Sequence, residues 1–385
     1  MSTKGRVLVA MSGGIDSTAV AIMLHEQGYE VVGITMKTWD YATAGGSKKE
    51  SGCCCLDSIN DARGVAVRLG FHHFIVDIRE EFGSYVIDNF VEEYMAGRTP
   101  NPCVLCNTHI KWNSLLRRAD SLDCDFIATG HYAQIGEKDG RKFIRKSVDA
   151  LKDQSYVLWG LSQACIQRTM FPLGGMTKPE VRKYVHDAGF DDLATKAESF
   201  EICFVPDNDY RGFLKRNVAG LEERVRGGNF VDGHGKVLGK HEGYPFFTVG
   251  QRKGFGQGFG RPMYVTEIRP EQNEVVLGDM EDLMRNGMRV YKANLLKYDV
   301  IPAGLEVLTK VRYHDAGTLS DVRHLESGDI EVNFYANVKG VAPGQSAVFY
   351  EGDDVIGGGI IYAGLQTQIE MPEVGMLGTG KTIIA

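Results

Sequence analysis

Short apolar runs separated by amphipathic stretches fill the first half of the chain. Arg6–Ala10, Glu30–Met36, Phe74–Asp77 and Phe126–Thr129 have the length and apolar content of buried strands. Between them, Ser17–Gln27, Asp57–Leu69, Glu81–Met95 and Thr108–Leu122 carry apolar residues at three- and four-residue intervals, the period of a helix. Thr177–Ala188 predicts a further helix, opened by Thr-Lys-Pro-Glu with Pro179 near its first turn. Alternating strands and helices predict a doubly wound parallel sheet, with ligands bound beyond the carboxyl ends of its strands. After about Val205 the pattern changes to glycine clusters and short alternating runs such as Met263–Ile268 and Glu274–Leu277. Val307–Tyr313, Ile330–Phe334, Ser346–Tyr350 and Val355–Tyr362 then predict consecutive strands. The expected class is α/β: a doubly wound parallel sheet in residues 1–205, a small β-rich central domain in 206–285 and an antiparallel β-barrel in 286–365. An acidic or flexible tail, 366–385, is expected to follow.

The junction of the first strand and first helix has its own chemistry. Ala10, Met11, Ser12, Gly13, Gly14, Ile15, Asp16 and Ser17 put small residues between a buried strand and a helix start. Glycines let the backbone approach a ligand, the serines add hydroxyls, and the helix N-terminus aims N–H groups at negative charge. The spacing is neither G-x-x-x-x-G-K-[ST] nor G-x-G-x-x-G, so the lysine of the usual phosphate loop is missing. Asp16 suits a helix cap and also a Mg²⁺ ion bridging phosphates. Gly375–Thr382 formally fits the lysine-bearing motif, but only Ile383, Ile384 and Ala385 follow, too few for its helix.

At 385 residues, with 43% hydrophobic and 24% charged, the chain reads as globular with two or three domains. It has no apolar run of membrane-spanning length, and Val7–Met11 is too short for a signal peptide core, so a cytoplasmic protein with no membrane partner is expected. The net charge of −7 argues against nucleic acid at face value. Charge is local, however. Between Asn208 and Pro262 the bases Arg211, Lys215, Arg216, Arg224, Arg226, Lys236, Lys240, Arg252, Lys253 and Arg261 face only Asp209, Glu222, Glu223, Asp232 and Glu242. Such a face suits phosphates, and equally a solvated surface.

Eight cysteines in such a chain suggest reduced thiols. Cys103 and Cys106 follow two prolines and precede a helix expected near Thr108, whose N-terminus would stabilise thiolate and make Cys106 reactive. A C-x-x-C pair alone fits a redox pair or half a zinc site, and no second C-x-x-C appears. Cys203, flanked by Phe200, Ile202, Phe204 and Val205, reads on spacing alone as a core residue. Cys124 and Cys165 read as core, and the triplet Cys53, Cys54, Cys55 as structural or incidental. Trp39 and Tyr41 are candidates for stacking on bases, whereas Trp112 within a helical pattern reads as core.

Ser12–Ser17 resembles the PP-loop of the ATP pyrophosphatase superfamily, which splits ATP into AMP and pyrophosphate and has a Rossmann-like fold. Further blocks at Thr99–Asn107, Thr129–Tyr132, Lys152–Leu158, Phe200–Phe204 and Thr248–Gly254, with Val311–His314 beyond them, resemble in order the tRNA-specific 2-thiouridylases. The similarity covers roughly the first 365 residues. It implies ATP-dependent 2-thiolation of the wobble uridine of tRNA, with Cys106 the nucleophile and Cys203 the persulfide carrier. It implies ATP contacts at Ala10–Ser17, Met36 and Gly130, and a target-base region at Asn101, Pro102 and Cys103. His131, Lys152, Asp153, Gln154, Arg312, Tyr313 and Gln345 match tRNA-contacting positions. ATP with Mg²⁺, tRNA, and a cysteine desulfurase or persulfide relay protein are the implied cofactors and partners. Many family members carry Asp where this chain has Cys103, which puts an acid–base role there in doubt. It also leaves Cys103, Cys106 and Cys203 as potential iron–sulfur ligands, a reading held second to the persulfide route. A PP-loop amidating enzyme such as an NAD or GMP synthetase would need glutamine hydrolysis and neither Cys106 nor Cys203. A non-catalytic nucleotide-binding tRNA chaperone or sensor would tolerate loss of Cys106.

Overall fold

Val7, Leu8 and Val9 are fully buried because β1 (Arg6–Ala10) lies in the middle of a parallel sheet. The computed structural model describes residues 4–39, 56–196, 202–205 and 207–365. After β1 come α1 (Ile15–Glu26), β2 (Glu30–Lys37), α2 (Leu56–Leu69) and β3 (His72–Asp77). A helical stretch follows with α3 (Arg79–Phe82), α4 (Asp88–Met95), α5 (Pro102–Leu105) and α6 (Trp112–Ser121), leading to β4 (Phe126–Ala128). The chain next forms a hairpin, β5 (Gln134–Lys138) and β6 (Arg141–Arg145), then α7 (Gln163–Gln167), β7 (Thr169–Met170), α8 (Lys178–Asp187) and α9 (Asp191–Thr195). The sheet order is β3-β2-β1-β4-β7, with each neighbouring pair parallel.

Alternation along β1 decides what covers each face, since successive side chains point opposite ways. Val7 and Val9 pack with Ala19, Val20 and Ile22 of α1 and Val181 and Val185 of α8. Leu8 packs on the other face with Trp112, Leu115 and Ala119. Helices on both faces are the doubly wound arrangement. β3 departs from expectation: it is an edge strand, and Phe74 and Ile75 are exposed among the described residues. Trp112 is core, as expected, with its indole N–H donating to Thr169 Oγ1 at 2.8 Å. Cys124 and Cys165 are buried as expected. Tyr41, Cys53, Cys54, Cys55, the tail and the motif at 375–382 lie outside the described residues.

The central sheet contains β8 (Gly228–Val231), β9 (Val237–His241), β10 (Tyr264–Arg269) and β11 (Glu274–Gly278), beside α10 (Tyr210–Asn217) and α11 (Leu221–Val225). Its core continues into the first domain. Phe90 of α4 meets both Phe204 and Phe213 edge to face, at 5.2 and 5.8 Å between centroids. Beyond it, β12 (Met284–Leu295), β13 (Glu306–Lys310), β14 (Thr318–His324), β15 (Ile330–Lys339), β16 (Ser346–Glu351) and β17 (Asp354–Leu365) pair antiparallel, and β12–β17 pairing closes the barrel. The hairpin β5–β6, which the hydrophobic pattern does not reveal, extends this same sheet from β17.

Side chains reinforce that junction. Asn294 donates to the carbonyls of Trp159 and Leu161, and Arg141 donates to those of Leu295 and Leu296. The buried Tyr156 hydroxyl donates to Ser346 O at 2.7 Å. Removing it in Tyr156→Phe strands a buried carbonyl, so a loss of about 1–2 kcal/mol is expected. Thermal melting of the two proteins side by side checks this, and an unchanged melting temperature contradicts it.

Candidate active site

The order β3-β2-β1-β4 reverses direction between β1 and β4, so a crevice opens beyond their carboxyl ends. Residues 11–14 turn there from β1 into α1. Met11 N donates to Ile34 O at 2.8 Å, and Thr35 Oγ1 donates to Met11 O at 2.8 Å, tying the turn to β2. Ser12 N donates to Ser17 Oγ at 3.1 Å, which itself donates to Gly14 O. Gly13 adopts φ +67°, and a Cβ there would lie 2.0 Å from Ser58 O, so only glycine fits. Gly130, just beyond β4, abuts α1: a Cβ would fall 3.0 Å from Ser17 N. Met36 comes from the end of β2. The loop, Met36 and Gly130 therefore gather at the carboxyl ends of β2, β1 and β4, where a helix N-terminus can receive an anion.

Gly14, not Asp16, is the N-cap of α1. Asp16 instead receives Lys178 Nζ at 2.7 and 2.9 Å and the Tyr132 hydroxyl at 2.8 Å. Lys178 is almost completely buried, at the first position of α8. Both Asp16 oxygens thus meet Lys178, which sets an ammonium against the carboxylate beside the loop. A second lysine, Lys196, reaches Gly13 O at 3.0 Å, Ser58 Oγ at 3.2 Å and Asp61 Oδ2 at 2.6 Å. The loop without a lysine thus has two lysines supplied from far along the chain. The hydrophobic pattern did not single them out. One local signal existed: a lysine at a helix's first position opposes the helix dipole, an inconsistency typical of functional sites.

The cysteine segment is helical earlier than expected. Helix starts at Pro102 rather than near Thr108, with Asn101 as N-cap accepting from Val104 N at 3.4 Å. The prolines pre-set this start, and a π-helical turn, Cys106–Lys111, joins α5 to α6. Cys103 sits in the first turn and is exposed, while Cys106 lies one turn in and is buried. Although Cys103 reaches solvent, burial by surrounding protein pushes its thiol pKa up, partly offset by the Lys111 charge, so it stays protonated at neutral pH. Lys111, another residue missed in sequence, also lowers the pKa of His131, whose burial is the larger cause. The His131 ring packs on Trp112 at 5.3 Å and its Nδ1 meets Thr129 Oγ1 at 2.9 Å.

Cys203 corrects the reading made on spacing: it is exposed, while Phe204 and Val205 beside it are buried. Those two belong to the apolar cluster that includes Cys106 and Trp39. Trp39, being core, is not available to stack on a base. Among the described residues no three His, Cys, Asp or Glu side chains are grouped to hold a metal ion, so Cys103, Cys106 and Cys203 do not fit an iron–sulfur cluster.

The remaining candidates lie where the barrel meets this segment. Gln345 Nε2 donates to the carbonyls of Thr99 and Pro100, at 3.1 and 3.0 Å, and Thr99 N donates to Pro343 O at 2.8 Å. Tyr313 donates to Asp153 O at 2.8 Å, and Arg312 to Gly340 O at 2.7 Å. Asp153 accepts from Ser147 N and Ser155 Oγ, and Gln154 accepts from Tyr132 N. Lys152 precedes them on the same turn-rich stretch. In the basic segment, Lys215 pairs with Glu222 and Arg216 with Asp207 just before it, so part of its charge is neutralised. Among the described residues no helix is long and apolar enough to cross a membrane.

Three family models match consecutive parts of the chain. They are a tRNA methyl transferase HUP domain over residues 5–207, a tRNA methyl transferase PRC-barrel domain over 212–279 and an aminomethyltransferase beta-barrel domain over 285–361. The chain is 64% identical over 362 residues to the tRNA-specific 2-thiouridylase MnmA of Cytophaga hutchinsonii, covering 94% of this chain and 98% of that one. It is 63% identical to the protein of that name from Amoebophilus asiaticus, covering 94% and 96% of the two chains. For that of Salinibacter ruber the values are 52%, 94% and 95%. Among solved structures, a 4-thiouridine synthetase–RNA complex with bound ATP matches at 16% identity and a TM-score of 0.36, over 57% of this chain and 51% of that one. With the phosphate loop, the cysteine-bearing helix and three matched domains in this order, the chain belongs to the tRNA-specific 2-thiouridylase family.

Proposed function

We propose that this protein is a tRNA-uridine 2-sulfurtransferase that activates the 2-carbonyl of the wobble uridine with ATP and replaces its oxygen by sulfur. The observation that carries the reading is the bridge from Gly130 to His131. Gly130 touches the first turn of α1, and the next residue packs on Trp112, immediately after the π turn that begins at Cys106. One dipeptide thus spans the nucleotide loop and the cysteine-bearing helix.

ATP, taken as its Mg²⁺ complex, is the proposed cosubstrate. The uridine O2 attacks the α-phosphorus, the bond to pyrophosphate breaks, and the O2–AMP ester gives the carbon a leaving group. Backbone N–H groups at the start of α1 hold the departing charge, with the Asp16 carboxylate beside them neutralised by Lys178. Cys203, being exposed, is the carrier loaded with a persulfide by a desulfurase or relay protein. Two routes share the same balance. The terminal persulfide sulfur attacks C2 and expels AMP, after which Cys106 attacks the Cys203 sulfur and frees 2-thiouridine. Alternatively, Cys106 attacks first and releases hydrosulfide, which then attacks C2. Either route leaves a Cys106–Cys203 disulfide, which a dithiol reductant returns to two thiols. Asn101, Pro102 and Cys103 line the proposed base pocket, into which the uridine must turn out of its stack. Met36 would bound the adenosine, and His131, Lys152, Asp153, Gln154, Arg312, Tyr313 and Gln345 would meet the tRNA along the junction with the barrel.

Anaerobic incubation with tRNA, ATP, Mg²⁺ and a sulfur donor, read as 2-thiouridine by mass spectrometry, tests the reading. Cys106→Ser and Cys203→Ser should each lower turnover by roughly 10³-fold or more, the scale on which loss of a nucleophile registers. Full thiolation by either variant removes the cysteine assignment. Cys103 is assigned no general-base role, because burial pushes its thiol pKa up and keeps it protonated at neutral pH. Cys103→Ala is therefore expected to cost less than about 10-fold, against ~10²–10⁴-fold for loss of a general base. Below pH 8 its pH–rate profile should parallel that of the parent, and a lost limb would overturn this assignment.

A further inference from the structure

The edge strand β3 carries a histidine whose ring reaches the support of the nucleotide loop. His73 stands opposite Gly33 of β2, and Gly33 in turn opposite Val9 of β1, two residues before Met11. A Cβ on Gly33 would lie 2.8 Å from Met11 Sδ and 3.0 Å from His73 Cδ2, so the ring crosses β2 where no side chain stands. Beyond it His73 Nε2 meets Thr35 Oγ1 at 2.8 Å, and Thr35 Oγ1 meets Met11 O at 2.8 Å. A carbonyl can only accept, so the single hydroxyl proton goes to Met11 O and the hydroxyl oxygen accepts from His73 Nε2–H. Nδ1 is then a bare acceptor. It is buried without a hydrogen-bond partner among the described residues, so a second proton there would place an unpartnered charge in the interior. Burial, with the Arg63 charge beside it, lowers the His73 pKa accordingly.

We propose that His73 is a positioning residue for ATP, holding through the Thr35 hydroxyl the first peptide of the nucleotide loop. The inference rests on the ATP-dependent reading above and deepens it. In a trans peptide the carbonyl and the following N–H point in opposite directions. The Met11 carbonyl is drawn to Thr35 on β2, and the Ser12 N–H donates to Ser17 Oγ on α1. The peptide between them is thus strapped on both sides, which fixes the path by which the chain enters α1. The imidazole N–H polarises the hydroxyl and strengthens the bond that the hydroxyl makes to the carbonyl. The loop is ordered before phosphates arrive, so binding bears less of the ordering cost.

The test uses the full-length protein at neutral pH and α,β-methylene ATP, which cannot be cleaved between the α- and β-phosphates. Calorimetry gives the Kd of the analogue, and tRNA thiolation gives kcat and the KM for ATP. His73→Phe, which keeps a ring and loses the donor, should raise both Kd and KM by roughly 3- to 10-fold, the worth of one net hydrogen bond. Because the strut acts on bound and reacting ATP alike, kcat should stay within about twofold. His73→Gln, whose amide donates at similar reach, should recover most of the affinity. In a Thr35→Val background His73→Phe should add nothing, since the contact it acts through is gone. Parent-like affinity in His73→Phe overturns the proposal, as does an equal loss with and without the Thr35 hydroxyl, or no recovery in His73→Gln. A readout that needs no variant to fold is the 15N NMR signature of His73 in the parent, expected to be the Nε2–H tautomer. An Nδ1–H or charged ring overturns the proposal. A parent that binds the analogue without thiolating tRNA removes the sulfur-transfer reading and leaves the affinities to decide the strut, whereas a parent that binds no analogue overturns both.

Discussion

Lys178 Nζ lies 2.7 Å from Asp16 Oδ1, across 162 residues of sequence, and joins the first turn of α8 to the first turn of α1. Each charge alone would be awkward. A lysine at the head of a helix faces the positive end of that helix's dipole, and an aspartate at the head of α1 opposes the anion which that terminus is disposed to receive. Paired, the two cancel. The start of α1 keeps its attraction for phosphate, and a nearly buried ammonium gains the partner without which it would be costly. Since α1 and α8 pack on the same face of the sheet, the pair also fixes how the two helices sit against β1.

The cysteine segment depends on a different neighbour. Arg98–Asn101 leads into the helix at Pro102, and it is the barrel that holds this lead, through Pro343 O and the side chain of Gln345. Tyr156 and Tyr313 tie the adjoining stretch to the same side of the barrel. The hairpin β5–β6 completes the join by extending the barrel sheet with residues that precede it by about 150 positions. The barrel therefore holds the stretch that leads into the helix bearing Cys103 and Cys106.

Much of this was readable from residue order. β1, β2, β4 and the helices around them stand close to where periodicity puts them, because a central parallel strand must be apolar on both faces and its covering helices must be amphipathic. The phosphate loop was legible because its chemistry is local: small residues, a strand before it and a helix after it. What escaped was non-local. Nothing in the alternation of Gln134–Arg145 says that this hairpin joins a sheet built mostly from residues beyond 284. Lys111, Lys178 and Lys196 look like surface charges until the fold brings them to a cysteine, a carboxylate and a backbone carbonyl. Cys203 was misread for the reverse reason. Its neighbours Phe204 and Val205 are core, and a turn rather than a regular element lets one residue face solvent while the next does not.

That contrast between adjacent residues bears on how two thiols could share one task. A sulfur carrier has to be reached by a donor, which favours exposure, whereas the thiol that resolves it is best kept from other oxidants and electrophiles, which favours burial. Here Cys203 is exposed and Cys106 is buried, so each has the environment its proposed part requires. Phe204 reconciles the two demands, because its ring is fixed by Phe82, Phe90 and Phe213 within the cluster that also contains Cys106. Cys203 is thereby held through its next residue to the same apolar cluster that contains Cys106, which restrains it more than a freely moving thiol would be.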